Sequence, residues 1–250
     1  EATGSVLSIE PAIDVTASSA LAATEITLHS GVSNGGSLAI TADTLNLLGN
    51  GVDYSLTSTS NNVDQLLANA ASLTYVDSNA LTLGDITTTG KIDIATQSGD
   101  LEIDGDLAAG SSAADALVLN AGKAEAAGTD SGGNIIYTSG SVTAPGGIRL
   151  FTGSIADSTG VAETSDGAGD GLVSFGSGKF RYNADEATDF TAAEWTSLEA
   201  TGVHAIYREQ PTVTIEVSAG NSITYGDAVP VAYTPSFEGL ENGDTAAIFN

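Results

Sequence analysis

Short runs of alternating apolar and polar residues recur along the first 150 positions, broken each time by Gly, Asn, Asp or Ser. Examples are Val6-Leu7-Ser8-Ile9, Glu25-Ile26-Thr27-Leu28, Ser37-Leu38-Ala39-Ile40 and Thr44-Leu45-Asn46-Leu47. Ala80-Leu81-Thr82-Leu83, Lys91-Ile92-Asp93-Ile94, Asp100-Leu101-Glu102-Ile103 and Leu117-Val118-Leu119 follow. Apolar residues two apart on an extended chain face one side, so each run is a strand with one side to bury. No such strand can bury that side alone. Two runs superpose at a fixed step: Leu81-Thr82-Leu83 stands twenty residues before Leu101-Glu102-Ile103. A step near twenty is one coil of a parallel β-solenoid, in which stacked coils bury a continuous apolar column. The expected fold is all-β: a right-handed parallel β-helix followed by a partial small β-rich module. Seven or eight coils at a strand spacing of ~4.8 Å make a shaft of roughly 35–40 Å. The 30 glycines fit the many sharp turns such a path needs. One break in register stands out. Val63, Leu66 and Leu67 have helix-like spacing and read as an inserted helical turn.

Composition changes near residue 150. Before it the aromatics are Tyr54, Tyr75 and Tyr137. After it come Phe151, Phe175, Phe180, Tyr182, Phe190, Trp195 and Tyr207. Rings of that size are expected to be too bulky for a narrow coil and to plug its open end, where a solenoid needs a cap. The chain therefore divides into a shaft over 1–150, an irregular aromatic-rich end over 151–209, and a β module over 210–250. Thr164–Gly178 reads as a surface loop. Thr191–Ala200 reads as a short helix or turn, with Thr191 as N-cap and Glu194 three residues on. In the last part Thr212–Val217 alternates after Pro211. A second strand is expected over Val229–Tyr233, with turns at Tyr225-Gly226-Asp227 and Asn242-Gly243-Asp244. So few strands make a truncated module the expectation, and a start at Glu-Ala-Thr-Gly without Met reads as a processed piece of something longer.

The charge narrows the partners. Six Lys+Arg against 32 Asp+Glu give a net charge of −26, which repels nucleic acid and anionic lipid heads. A disordered acidic chain is not expected, because 41% of the residues are hydrophobic and recur at strand spacing. Cys and Met are both absent, so there is no disulfide framework and little that oxidises. No run of ~18 apolar residues could span a membrane as a helix.

Catalytic and metal chemistry have few candidates. Lyase chemistry on acidic sugars needs cations, and the shaft offers Lys91, Lys123 and Arg149. Hydrolysis needs two carboxyl groups across a cleft, and Asp104 and Asp106 would point to one side of a strand. Gly31-Val32-Ser33-Asn34-Gly35 matches a hydrolase pattern but lacks its strand and helix. Asp130-Ser131-Gly132-Gly133 faintly resembles a protease loop, with only His29 and His204 available as base. Gly176-Ser177-Gly178-Lys179 lacks the outer residues of a phosphate loop. Two separated histidines without Cys make no zinc site. Calcium has oxygen-rich candidates in Asp166 with Asp170 and in Asp100, Asp104 and Asp106, at spacings that match neither an EF-hand nor the Gly-rich nonapeptide repeat. No catalytic residue and no resident cofactor other than such a calcium is expected.

Several stretches resemble a known family. Thr82-Leu83-Gly84-Asp85-Ile86-Thr87-Thr88-Thr89-Gly90, Gly99-Asp100-Leu101 and Leu119-Asn120-Ala121-Gly122 resemble the shaft repeats of filamentous haemagglutinin-like bacterial exoproteins. Gly147-Ile148-Arg149-Leu150-Phe151-Thr152-Gly153 followed by Phe180-Arg181-Tyr182-Asn183 looks like the segment that closes such shafts. Ile223-Thr224-Tyr225-Gly226-Asp227 with Gly239–Thr245 is similar to the start of an MBG-type repeat module. The resemblance implies secretion to the bacterial surface with an outer-membrane partner, and a role in adhesion or biofilm formation. It implies a surface glycan, matrix polysaccharide or protein receptor as partner. A structural fibre subunit and a polysaccharide-active β-helix enzyme are the alternatives. The family's N-terminal secretion domain is not recognisable in this chain.

Overall fold

The computed structural model describes residues 2–9, 20–30, 38–165, 171–189, 201–217, 225–226 and 235–245. The chain alternates between two parallel sheets and so winds a solenoid of about eight turns. The first sheet begins with β1 (Ala2–Ile9), β2 (Leu21–Leu28) and β3 (Ile40–Leu47). From there the chain crosses back and forth. It passes through β4 (Asp53–Leu56), β5 (Asn62–Ala70), β6 (Ser72–Asp77), β7 (Leu81–Thr88) and β8 (Ile92–Thr96). It continues with β9 (Leu101–Asp104), β10 (Leu107–Ala109), β11 (Leu117–Asn120), β12 (Ile135–Ser139), β13 (Val142–Thr143) and β14 (Gly147–Thr152). The even-numbered strands β4, β6 and β8, with β11 and β14, belong to the second sheet. Strand β7 is long enough to carry both β9 and β10 side by side, and these carry β12 and β13.

Register turns the alternation into columns. In the first sheet Ile26, Leu45, Leu66, Leu83 and Ile103 stack in successive partners, all fully buried. In the second, Leu56, Tyr75, Ile94, Leu119 and Leu150 do the same. The twenty-residue step is literal, since Leu81 pairs with Leu101 and Leu83 with Ile103. Each fully buried Leu or Ile contributes ~1.5–3 kcal/mol relative to exposure.

Val63, Leu66 and Leu67 are not an inserted helical turn; they lie in β5. Val63 and Leu66 are both buried although three apart, as are Ala42 and Leu45 beneath them. The inward phase shifts by one residue across Asp64–Gln65, as it does across Asp43–Thr44. A corner in a strand thus imitates helical spacing. Another corner is built on glycine. An added Cβ on Gly140 (φ +89°) would lie 2.1 Å from the Gly105 carbonyl oxygen, and one on Gly105 would lie 2.5 Å from the Gly84 carbonyl carbon. Three coils meet there backbone to backbone.

Aromatic rings do enter the regular coils, contrary to expectation. Tyr54 and Tyr75 are 1% and 0% exposed and face inward. Their hydroxyls reach partners at the corners, Leu28 O at 2.7 Å and Asp77 Oδ2 at 2.6 Å, which lets a ring with a polar tip fit the interior. Residues 151–209 also contain regular rungs. β15 (Phe180–Tyr182) and β16 (Gly202–Tyr207) extend the second sheet in parallel. Their order is reversed: β16 pairs with β14, and β15 lies outside β16 as the last rung. The Gly-rich stretch is not wholly a surface loop, since Val173 packs in the core and bridges to Ala162. A four-residue helix, α1 (Glu186–Asp189), follows β15. The expected helix or turn at Thr191–Ala200, with Glu194 and Trp195, lies outside the described residues.

Beyond the solenoid, β17 (Thr214–Val217) pairs antiparallel with β18 (Pro235–Glu238). The strand expected at Val229–Tyr233 lies outside the described residues. The turn at Asn242-Gly243-Asp244 is present, with positive φ at Asn242 (49°) and Gly243 (75°) and the Asp244 N–H donating to Glu241 O.

Candidate functional site

The acidic candidates on the shaft are spread along its corners and bind the coil above. Asp100 accepts from the Asn134 N–H at 2.8 Å. Asp104 accepts from the Ser139 hydroxyl at 2.9 Å, and Asp106 from both the N–H and the hydroxyl of Ser141 at 2.8 Å. These carboxylates therefore cap polar groups of the next coil, one after another along its edge, instead of converging. Among the described residues, no three His, Asp or Glu side chains gather as a bound cation would require. Asp166 and Asp170 lie outside the described residues, as does Gly31–Gly35.

The shaft's cations are engaged. Lys91 pairs with Asp93 at 3.2 Å and Asp115 at 2.9 Å, and Lys123 with Glu186 at 3.1 Å. Arg149 is fully buried. It faces away from the solenoid interior, in a column with Val118 and His204. Beside this column Phe151 and Ile206 pack with Val118 and Ala184 into a second small core. Residues 183–186 lie over that face: Ala184 N–H donates to Tyr207 O, and Glu186 accepts from Asn120 at 2.7 Å. Arg149 Nη1 lies 2.7 Å from His204 Nδ1. A guanidinium only donates, so Nδ1 accepts and the His204 proton sits on Nε2. Burial first, and then the Arg149 charge, pull the His204 pKa down to about 4. Burial also lowers that of Arg149.

This neutral, buried His204 gives a signed pH effect. Its folded pKa lies below its unfolded value, so its contribution is present above about pH 6.5 and is lost as pH falls toward about 4. The loss amounts to roughly 3 kcal/mol by pH 4. Acidification also relieves the repulsion of a −26 chain. The His204 effect is therefore read by difference. Thermal melts between pH 7 and pH 4 should fall more steeply for the wild type than for His204→Asn, whose amide oxygen can still accept from Arg149. Parallel pH profiles would refute it.

Arg208 organises the loop between Ala121 and Asn134. Its guanidinium, 1% exposed, donates to Ala121 O, to Ser131 O at 3.1 Å and to Gly133 O at 2.8 Å. The Asp130–Gly133 stretch thus serves as a carbonyl ligand for an arginine. Gly176-Ser177-Gly178-Lys179 is a turn leading into a strand, without the helix N-terminus a phosphate loop needs.

Among the described residues, two surface hollows stand out. One, of about 370 Å³, lies on the outer face of the first sheet between Asp64, Asn79, Thr82, Asp100, Glu102 and Ile136. Glu102 there is tied to Thr82 at 3.4 Å and Thr138 at 2.9 Å. The other, of about 420 Å³, lies at the C-terminal end of the solenoid between Phe180, Arg181, Tyr182 and Asp244. Tyr182 stacks on Tyr207 at 5.7 Å, with 14° between the planes, and Phe180 lies 6.5 Å from Tyr207. The sequence pointed to aromatics at this end. It gave no sign that Asp244, sixty residues on, would join them. Compared with known families, curated proteins and solved structures, the chain matches none.

Proposed function

We propose that the chain is a rigid shaft segment of a secreted bacterial surface adhesin, with a cell-surface or matrix glycan as its partner. The observation that supports this reading is the unbroken stack. Inward columns run from Ile26 to Ile103 and from Leu56 to Leu150 without a polar interruption. Such a stack resists bending because every coil pairs along its backbone with the next. The acidic surface keeps neighbouring shafts apart. One observation favours a fibre subunit as the second reading. The outer edge of β1 has no strand partner among the described residues, and such an edge can pair with another chain.

A glycan panel screened with the purified chain, with reducing ends and sedimentation monitored together, tests the reading. Binding by a monomer without release of reducing ends is expected. Release of reducing ends would make the chain a polysaccharide-active enzyme. Concentration-dependent end-to-end assembly without glycan binding would make it a fibre subunit.

A further inference from the structure

The end of the solenoid differs chemically from its sides. β15 is the last strand of its sheet, so the Tyr182 face opposite Tyr207 has no further rung over it among the described residues. Tyr182 remains half-buried, with Phe180 buried beside it. Arg181 is exposed on the same strand. Its hydrogen bonds to Gly178 O at 3.2 Å and Phe180 O at 2.6 Å both come from Nη1. Of the six Lys and Arg residues, three (Lys179, Arg181, Arg208) fall in this closing part of the chain.

Asp244 comes to the same hollow from the turn beyond β18, and its position is fixed. Gly176 N–H donates to Asn242 O at 2.9 Å, and Asn242 Nδ2 donates to the Tyr182 hydroxyl at 3.2 Å. Gly243 lies against the Phe175 ring so closely that a Cβ would be 2.5 Å from Cε1. The turn is therefore seated on the last rung and does not swing free. An aromatic face, a guanidinium and a carboxylate are thus held around a space of about 420 Å³, within the ~300–1,000 Å³ of small-ligand sites.

We propose that this hollow is a binding subsite for one pyranose ring of a neutral saccharide, with the ring's C–H face on Tyr182 and two neighbouring hydroxyls bridging Arg181 and Asp244. The assignment deepens the adhesin reading and rests on it. A pyranose has an apolar face and a rim of hydroxyls that both donate and accept. Arg181 supplies donors, Asp244 supplies acceptors, and the two sit beside the aromatic face. A polyanion is disfavoured by the net charge of −26. Preorganisation of Asp244 by the seated turn lowers the ordering cost of binding. A single ring held by so few contacts binds weakly, and avidity arises when several shafts engage one multivalent glycan.

The test uses the full chain, with methyl glucoside, methyl galactoside and methyl mannoside as probes and methyl glucuronide as the acidic comparison. Backbone amide shifts are followed by NMR. At least one neutral glycoside should produce saturable shifts concentrated at residues 178–182 and 241–245. Arg181→Gln and Asp244→Asn should each weaken that binding tenfold or more with an unchanged melting temperature, since Arg181 is exposed and Asp244 half-buried. Three results would overturn the site: no saturable shifts with any neutral glycoside, shifts centred on the groove at Thr82 and Glu102, or variants that bind as the wild type does. Glycan-panel binding that survives both substitutions would overturn this site and leave the adhesin reading standing. Release of reducing ends with the shifts still at 178–182 would do the reverse.

Discussion

Leu101→Asp should break the solenoid at one coil, with the largest stability loss of any single substitution on the shaft. Leu101 is fully buried and sits in register between Leu81 and Ile135. A carboxylate there has no partner on either side, because the column it joins is aliphatic. Leaving it charged or forcing it neutral costs at least about 4 kcal/mol once the lost leucine burial is included. That is a large share of the ~5–15 kcal/mol that holds an ordinary domain together. A solenoid is quasi-one-dimensional, so the break should also split one melting transition into two, as the coils on either side lose their common column. Thr87→Asp is the control. Thr87 is exposed on the adjacent strand, and its substitution should stay within ~0.5 kcal/mol. Urea and thermal unfolding followed by circular dichroism make the comparison. A Leu101→Asp variant that melts like the wild type would contradict the inward register.

That register was legible in the sequence because the β-solenoid makes two separate rules coincide. Alternation says which residues face inward, and a repeated step says which residues stack. Leu81-Thr82-Leu83 and Leu101-Glu102-Ile103 satisfy both, and the structure pairs them directly. Legibility stops where chain length and register part company. Leu101 pairs with Ile135, across a coil lengthened by the Ala121–Asn134 loop that Arg208 gathers from residues far away in sequence. No local pattern announces a guanidinium eighty residues on. The reversed order of β15 and β16 was hidden for the same reason, since parallel pairing carries no trace of which strand came first. At Val63 and Leu66 the pattern itself misled, because a corner changes the inward phase just as a helix would. The acidic residues were visible as oxygen ligands, but not what they serve. Asp100, Asp104 and Asp106 turn out to hold the N–H and hydroxyl groups of the next coil. The candidate site at the shaft's end was half visible. Phe180 and Tyr182 could be placed there by composition, whereas Asp244 joins only through the seated turn.

Asn61→Ala should be nearly as damaging as the charge in the column, although nothing in the sequence marks Asn61 as special. Its side chain is fully buried at a corner of the coil. Oδ1 accepts from the Ile40 N–H at 3.0 Å, and Nδ2 donates to Leu56 O at 3.2 Å and Val76 O at 2.9 Å. One amide thus satisfies backbone groups from three strands where the sheet ladders end. Truncation to Ala leaves one N–H and two carbonyl oxygens buried together. At ~1–3 kcal/mol for each buried group left unsatisfied, the expected loss is about 3 kcal/mol or more, reduced if a water enters the space. The near-isosteric Asn61→Asp separates this account from simple packing. It conserves volume but replaces the donating amide with a carboxylate facing two carbonyl oxygens. Buried Asp77, the residue after Val76 and bonded to the Val63 N–H at 3.1 Å, adds like-charge repulsion. Asn61→Asp should therefore be less stable than Asn61→Ala at neutral pH. The new carboxyl has its folded pKa raised above the unfolded value, so acidification should return part of the lost stability, since a protonated carboxyl can again donate to one carbonyl. Urea denaturation of both variants at pH 7 and pH 4 reads the difference. If Asn61→Asp matches the wild type at pH 7, the three bonds contribute nothing and packing alone sets the corner.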